Sequence, residues 1–140
     1  MKTQNAEIFN HDTDVIILHK YNSILHKYNS IELNGWINHL QYIDQEVDKL
    51  LNLFSQSIQN KEIPESINIL FSRRKESNKQ LHYAVSNYIN TYSIAIKCDD
   101  LQCDIKYFRE YERLRKSYQY HLDKYQRFKD YLYDMGLPKN

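Results

Sequence analysis

The stretch LQCDIKYFREYERLRKSYQYHLDKYQRFKDYLYDM, residues 101–135, decides the fold class of this chain. Its apolar residues recur at steps of three or four, and the stretch contains neither Gly nor Pro. That spacing lines up the apolar side chains along one side of an α-helix. The helix is predicted to end at Gly136-Leu137-Pro138, because Gly can adopt the left-handed cap conformation and Pro cannot continue a helix.

Two further stretches have the same periodicity and predict helices over about residues 32–59 and 65–97. In the first, apolar residues alternate steps of four and three, at Trp36, Leu40, Ile43, Val47, Leu50 and Phe54. The second opens with Pro64 and Glu65, which are favoured at helix starts. Together with a last helix over about 100–135, the short links predict an all-α, up-down-up antiparallel three-helix bundle of long coiled-coil-like helices.

The N-terminal part contains an unchanged tandem repeat, LHKYNSI at residues 18–24 and again at 25–31. Seven residues make two helical turns, so a second copy preserves the apolar face of a helix. The pattern leaves open whether residues 15–31 form an additional N-terminal helix or extend the first long helix through Asn34-Gly35.

The chain length of 140 residues fits one domain with a core of its own. We predict a single helical-bundle domain over residues 15–137. Residues 1–14 are polar and lack a usable period, so they are expected to form a loose arm, and residues 138–140 form a tail.

In antiparallel helices, residues equally far before and after a link lie at the same height along the bundle. Counting outward from each link therefore predicts which residues of neighbouring helices are close. Trp36, Tyr88 and Phe108 are expected to form an aromatic layer. The same register places Arg74 in the apolar seam near Leu50, where we expect the guanidinium group to pair with Glu46 or Asp48.

The overall charge does not require a polyanionic partner, since 19 Lys and Arg residues face 18 Asp and Glu residues. No apolar run approaches the length of a membrane span, and Val15 to Leu18 is too short for a signal segment. We therefore expect a cytoplasmic protein without membrane association. In that reducing compartment Cys98 and Cys103 are predicted to be free thiols.

No pattern in the sequence favours catalysis or cofactor binding. His19 and His26 would lie about 10 Å apart along a helix, too far to share one metal ion. A Glu-x-x-His pattern on facing helices, which di-metal bundles use, is missing. Gly35 and Gly136 are the only glycines, which excludes a Gly-rich phosphate loop. We expect no catalytic residue, no metal ligand and no cofactor.

The last helix carries a line of cations beside its apolar seam, and we name it the basic stripe: Lys106, Arg109, Arg113, Lys116, Tyr120, Lys124 and Arg127. One interpretation is that it contacts nucleic-acid phosphates, with Tyr120 available for base stacking. The other is that it pairs with the acidic first helix of the same or another subunit. Glu110 and Glu112 interrupt the line and can form ordinary pairs within the helix.

Residues 36–42, WINHLQY, followed by Gln45-Glu46-Val47, resemble the first helix of an uncharacterised family of small bacterial helical-bundle proteins. Leu114-Arg115 and the later Tyr and Phe positions resemble the last helix of that family. The resemblance covers about residues 31–135. It implies a helical bundle and no catalytic residue.

From these features we expect a non-enzymatic protein–protein interaction or scaffold module that binds itself or another protein. The alternative is a nucleic-acid or ribosome-associated protein that uses the basic stripe.

Overall fold

A computed structural model describes residues 22–58, 62–94 and 101–137. These residues form three α-helices and no strand: α1 over Asn22–Ser57, α2 over Glu65–Ile94 and α3 over Leu101–Asp134. The prediction of an all-α helical bundle is confirmed. The loose arm, the first copy of the heptad up to Tyr21 and the tail lie outside the described residues.

The helix α1 runs unbroken through the second heptad copy and through Gly35. Residues 22–31 therefore belong to the same helix as residues 32–57, which is the second of the two alternatives that the sequence leaves open. In the second copy of the repeat, Asn29 is buried, whereas Tyr28 and Ile31 are 67% and 68% exposed. A polar side chain, and not these two apolar ones, therefore faces the core. Gly35 lies inside the helix and is exposed, so it does not end the helix.

The C-terminus of α3 has the cap that the sequence predicts. Gly136 has a φ of 107°, the left-handed conformation that favours glycine. Its amide donates to the carbonyl of Tyr133, and the Leu137 amide donates to that of Leu132, both at 3.0 Å. These two bonds define a Schellman motif. Leu137 is buried, as is Leu132.

The start of α2 also follows its sequence signal. The Pro64 carbonyl accepts hydrogen bonds from the amides of Ile67 and Asn68 at 3.0 and 3.1 Å. Glu65 lies in the first turn, where a negative charge interacts favourably with the helix dipole.

Predicted seam residues of the three helices make up most of the core, which also contains Leu33, Tyr107 and Leu137. All six from Trp36 to Phe54 are buried, with Leu40 and Ile43 fully inaccessible to solvent. Ile67, Phe71, Val85 and Tyr88 contribute from α2, and Phe108, Tyr111, Tyr125, Phe128 and Leu132 from α3. Met135 was expected in this seam but is 45% exposed, because α3 has already ended one residue earlier.

Contacts between helices run in a regular order. Phe54 packs on Phe71, whereas Asn78 bonds to the carbonyl of Leu40, so α1 and α2 meet in opposite chain directions. Phe71 packs on Phe128 and Tyr88 on Tyr107, so α2 and α3 do the same. This is the contact order that an up-down-up bundle would have.

The predicted aromatic layer is replaced by two separate clusters. Trp36 stacks on Tyr111 and Tyr118, with ring centroids 5.7 and 4.8 Å away. Tyr88 instead contacts Tyr107 and Tyr92. Trp36 therefore contacts α3 further toward its C-terminus than Phe108. The predicted partner was wrong because counting across two links adds the errors of both.

The prediction for Arg74 is wrong. Asp48 pairs with the neighbouring Lys75 at 2.7 Å, and Glu46 pairs with Lys129 at 3.3 Å. The two acids lie on opposite flanks of α1, because two residues along a helix turn a side chain by about 200°. Arg74 is half-buried, and its Nη1 atom is buried without a hydrogen-bond partner.

The prediction of a free thiol is also wrong for Cys103, which is disulfide-bonded. None of the described cysteines is free. Cys98, the only other cysteine in the chain, lies outside the described residues.

Candidate functional site: the outer face of α3

All seven residues of the basic stripe are exposed on α3. From Lys106 to Arg127 the stripe extends about 32 Å, at 1.5 Å per residue. Steps of three and four keep the seven side chains within about 80° of the helix circumference. Buried Tyr111 and Tyr125 occupy the other side of the helix. The folded chain therefore brings the predicted residues together on one accessible face.

The acids that interrupt the stripe in sequence are engaged elsewhere. Glu110 accepts a hydrogen bond from the Tyr92 hydroxyl on α2 at 2.9 Å. Glu112 forms an ion pair with Arg115, which is not part of the stripe. The partners in these two contacts, Tyr92 and Arg115, both lie outside the stripe.

Most of the stripe is left without a neutralising carboxylate. Among the described residues, no Asp or Glu oxygen lies within 4.0 Å of Lys106, Arg113 or Lys116. Arg127 does pair with Asp123 at 3.0 Å, but their side chains are 78% and 55% exposed. Such exposed pairs contribute little energy. An external anionic group can therefore approach the stripe without first breaking strong internal pairs.

Three of the four acidic side chains of α1 pair with lysines outside the stripe. Lys75 on α2 lies 3.5 Å from Asp44 and 2.7 Å from Asp48. Glu46 pairs with Lys129, on the inner side of α3. The contacts of these three acids thus do not involve the stripe, and pairing of the stripe with the first helix of the same or another subunit stays a prediction.

Tyr120 is the aromatic member of the stripe. Its ring is 62% exposed, and the Lys124 ammonium lies 4.9 Å from the ring centroid. This cation–π contact keeps a positive charge against the ring face. The site thus offers an accessible aromatic surface next to a cation.

A shallow groove of about 220 Å³ adjoins the stripe between α2 and α3. Arg113 belongs to both features, and the groove is also lined by Tyr88, Tyr92, Glu110 and Leu114. Burial and the Glu110 carboxylate raise the pKa of Tyr92 to about 12. Tyr88 donates to the Tyr107 carbonyl at 2.7 Å. Both phenols therefore stay protonated near neutral pH and do not supply a base.

A buried polar cluster lies on the opposite side of α3 and was not predicted. Asn78 donates to the Leu40 carbonyl at 2.7 Å, and its side-chain oxygen lies 2.8 Å from Nε2 of His121. Because that oxygen can only accept, Nε2 carries the proton. Burial, with further electrostatic contributions from the nearby Arg74 and His39, lowers the pKa of His121 to about 4. The cluster therefore joins all three helices through a neutral histidine.

One sequence signal could have indicated this cluster. Asn78 falls within the polar interval from Ser72 to Gln80, which interrupts the row of apolar residues on α2. In the structure this interruption lies opposite the backbone carbonyl of Leu40 on α1. A polar residue in an otherwise apolar seam calls for a hydrogen-bond partner on a facing helix.

The described residues contain no group of three or more His, Cys, Asp or Glu side chains positioned to hold a metal ion. None of the described helices contains an apolar window long enough to cross a membrane.

Comparison with known proteins adds no relative. No protein-family model, no curated protein and no solved structure matches the chain. The resemblance to a family of bacterial helical bundles accordingly stays a prediction.

Proposed function

We propose that this protein is a non-enzymatic interaction module that binds an acidic protein surface through the basic stripe of α3. The observation that carries the proposal is the contrast in ion pairing. Asp44, Asp48 and Glu46 of α1 pair with Lys75 of α2 and Lys129 of α3. On the stripe, by contrast, Lys106, Arg113 and Lys116 face solvent without a carboxylate in the described residues.

The shape of the stripe suits a helical or extended partner. A straight line of cations about 32 Å long matches a partner that presents acids at intervals of one helical turn. Charge complementarity of this kind increases the association rate and sets the register of a complex. It also makes the affinity dependent on salt.

A nucleic-acid or ribosome-associated function is the second candidate. Tyr120 favours it, because an exposed ring next to Lys124 can stack on an unpaired base while the cation contacts phosphate. The overall charge of +1 argues for the protein partner, since nucleic-acid-binding domains are generally strongly basic.

Two fluorescent probes distinguish the candidates: a 20-residue polyglutamate peptide and a 20-nucleotide uridine oligoribonucleotide. Each is titrated at low salt against the native chain and the R109E/R113E/K116E variant. We expect peptide binding that falls at least about tenfold in the variant, a loss typical of removing several phosphate-like or carboxylate contacts. RNA binding without peptide binding would establish the second candidate.

A matched control reverses three exposed cations outside the stripe, K49E/R73E/K79E. It changes the net charge by the same amount. If this control weakens peptide binding as much as R109E/R113E/K116E, the effect is one of overall charge and the proposal fails.

The cytoplasmic location stays a prediction, and the bridged Cys103 weighs against it, since disulfides persist mainly in oxidising compartments. Alkylating the thiols in intact cells before extraction tests the point. An alkylated Cys103 would support the cytoplasm, and an unreactive one would contradict it.

A further inference from the structure

The groove between α2 and α3 adjoins the basic stripe and differs from it in chemical character. Its lining includes Tyr88, which is 6% exposed, and the half-buried Ala84 and Leu114. These three side chains supply hydrocarbon and ring surface, whereas the stripe consists of six cations and one tyrosine. The groove and the stripe are therefore suited to different side chains of a bound molecule.

Two charged side chains of α3 line the groove and restrict what it can hold. Arg113 is exposed and belongs to the stripe, and Glu110 lies three residues before it. The Tyr92 hydroxyl donates to the Glu110 carboxylate at 2.9 Å, which keeps that carboxylate in the groove wall. An acidic side chain can contact Arg113 from outside, but inside the groove it would meet the like charge of Glu110. The groove therefore favours an uncharged, apolar side chain.

The size of the groove fits one side chain. Its volume of about 220 Å³ is smaller than the about 300 to 1,000 Å³ that small-molecule pockets usually occupy. A single side chain is a better match than a free ligand, provided that the rest of the bound molecule is held elsewhere. The stripe supplies that second attachment, because Arg113 belongs to both features.

We infer that the acidic partner of the basic stripe carries an apolar side chain of about the size of Leu, which docks in the groove between α2 and α3 next to the acid that contacts Arg113. The inference rests on the proposed function and specifies its partner: an acidic segment with one apolar anchor rather than a uniformly acidic one. In a helical partner the acid and the anchor lie three or four residues apart. The charges set the register of the complex, and the anchor adds a buried apolar contact.

The test uses two 20-residue glutamate peptides with one central substitution, Leu in the first and Gln in the second. The two peptides have the same charge, so a difference in affinity comes from the apolar side chain. Both are titrated at low salt against the native chain. We expect the Leu peptide to bind at least about fivefold more tightly, because even partial burial of a Leu side chain is favourable.

The A84W variant fills the groove and leaves all seven stripe residues unchanged. We expect the Leu peptide to lose its advantage, while the Gln peptide binds as it does to the native chain. The control is S86W. Ser86 is small and half-buried like Ala84, does not line the groove, and lies about 200° away around α2. This control should keep the preference for Leu, and circular dichroism checks that both variants are folded.

A second measurement needs no variant of the chain. A photoreactive leucine analogue replaces the central Leu of the peptide, and the cross-linked residues of the native chain are identified by mass spectrometry. We expect cross-links to the groove residues Tyr88, Tyr92 and Leu114. Cross-links confined to other parts of the chain would overturn the inference, as would a folded A84W variant that keeps the preference for Leu.

The two peptides also separate this inference from the proposed function. If both bind the native chain equally and both lose affinity in R109E/R113E/K116E, the stripe binds acids without an apolar anchor, and only the inference fails. If neither peptide binds the native chain, the proposed function and the inference both fail.

Discussion

Lys124 and Lys129 lie five residues apart on α3, yet they occupy different environments. Lys129 lies on the inner side, where its side chain is 20% exposed and 3.3 Å from the Glu46 carboxylate. Lys124 lies on the basic stripe and contacts only the ring of its neighbour Tyr120 among the described contacts. The inner cation helps to join α3 to α1, whereas the outer one contributes to a surface.

The difference extends to the whole helix. On the inner side, polar groups have specific partners: Tyr125 donates to Glu46 at 2.5 Å, and His121 bonds to Asn78. Burial alone would raise the pKa of Glu46, but hydrogen bonds from Tyr125 and Tyr42 and the charge of Lys129 lower it. We therefore expect inner substitutions to change stability, and stripe substitutions to change binding alone.

The largest effect is expected for N78A. It removes the donor to the Leu40 carbonyl and the acceptor for His121, and leaves both groups buried without partners. We expect the free energy of unfolding to fall by about 3 kcal/mol, measured by urea denaturation. The exposed N87A on the same helix should change it by less than about 0.5 kcal/mol. Equal effects of the two substitutions would show that the polar cluster does not hold the helices together.

The next effect is a loss of stability in acid. His121 has a pKa of about 4 in the folded chain, below the 6.5 of an unperturbed histidine. The unfolded chain therefore binds the additional proton first, and the stability is fully present above pH 6.5 and lost as the pH falls toward 4. We expect a decrease of about 2 to 3 kcal/mol between pH 7 and 4.5.

Urea denaturation of H121Q over the same pH range provides the comparison. Gln keeps a side-chain N–H that can donate to Asn78 but does not titrate. Its stability should change much less across this window. A native chain with constant stability between pH 7 and 4.5 would contradict the burial of a neutral His121.

A smaller effect is expected for E46Q, which removes the charge but keeps an oxygen that can accept from Tyr125. Since the Glu46 and Lys129 side chains are both 20% exposed, we expect a loss of about 1 kcal/mol in unfolding free energy. D123N, which breaks the exposed pair with Arg127, is the control and should cost less than about 0.5 kcal/mol. A larger loss of unfolding free energy for D123N than for E46Q would contradict the proposed difference between the inner and outer sides of α3.

The smallest effect should come from neutralising the stripe itself. In K106Q/R113Q/K116Q/K124Q every replaced side chain is exposed, and Gln has a helix propensity close to those of Lys and Arg. We expect the unfolding free energy to change by no more than about 0.5 kcal/mol, measured by the same denaturation. A loss of several kcal/mol would mean that the stripe is part of the fold.

The sequence predicted what depends on local periodicity. The seam of α1, the Schellman end at Gly136 and the seven residues of the stripe all follow from spacing along one helix. The predictions that were wrong are those that depend on how the helices lie relative to one another. Trp36 and Arg74 were assigned partners by counting outward from the links, and an error of a few residues at each link changes every cross-helix pair. The polar interruption of the α2 seam around Asn78 indicates that a hydrogen-bond partner is needed, but periodicity along one helix does not identify His121 as that partner.

The most direct test of the account compares the lysines of the two faces in one measurement. The native chain is acetylated in water with and without the polyglutamate peptide, and labelling rates are read by mass spectrometry. We expect fast labelling at Lys106, Lys116 and Lys124 that slows when the peptide is added, and slow labelling at Lys129 that does not change. Protection at Lys129 but not at the stripe lysines, or no protection at any lysine, would contradict the account.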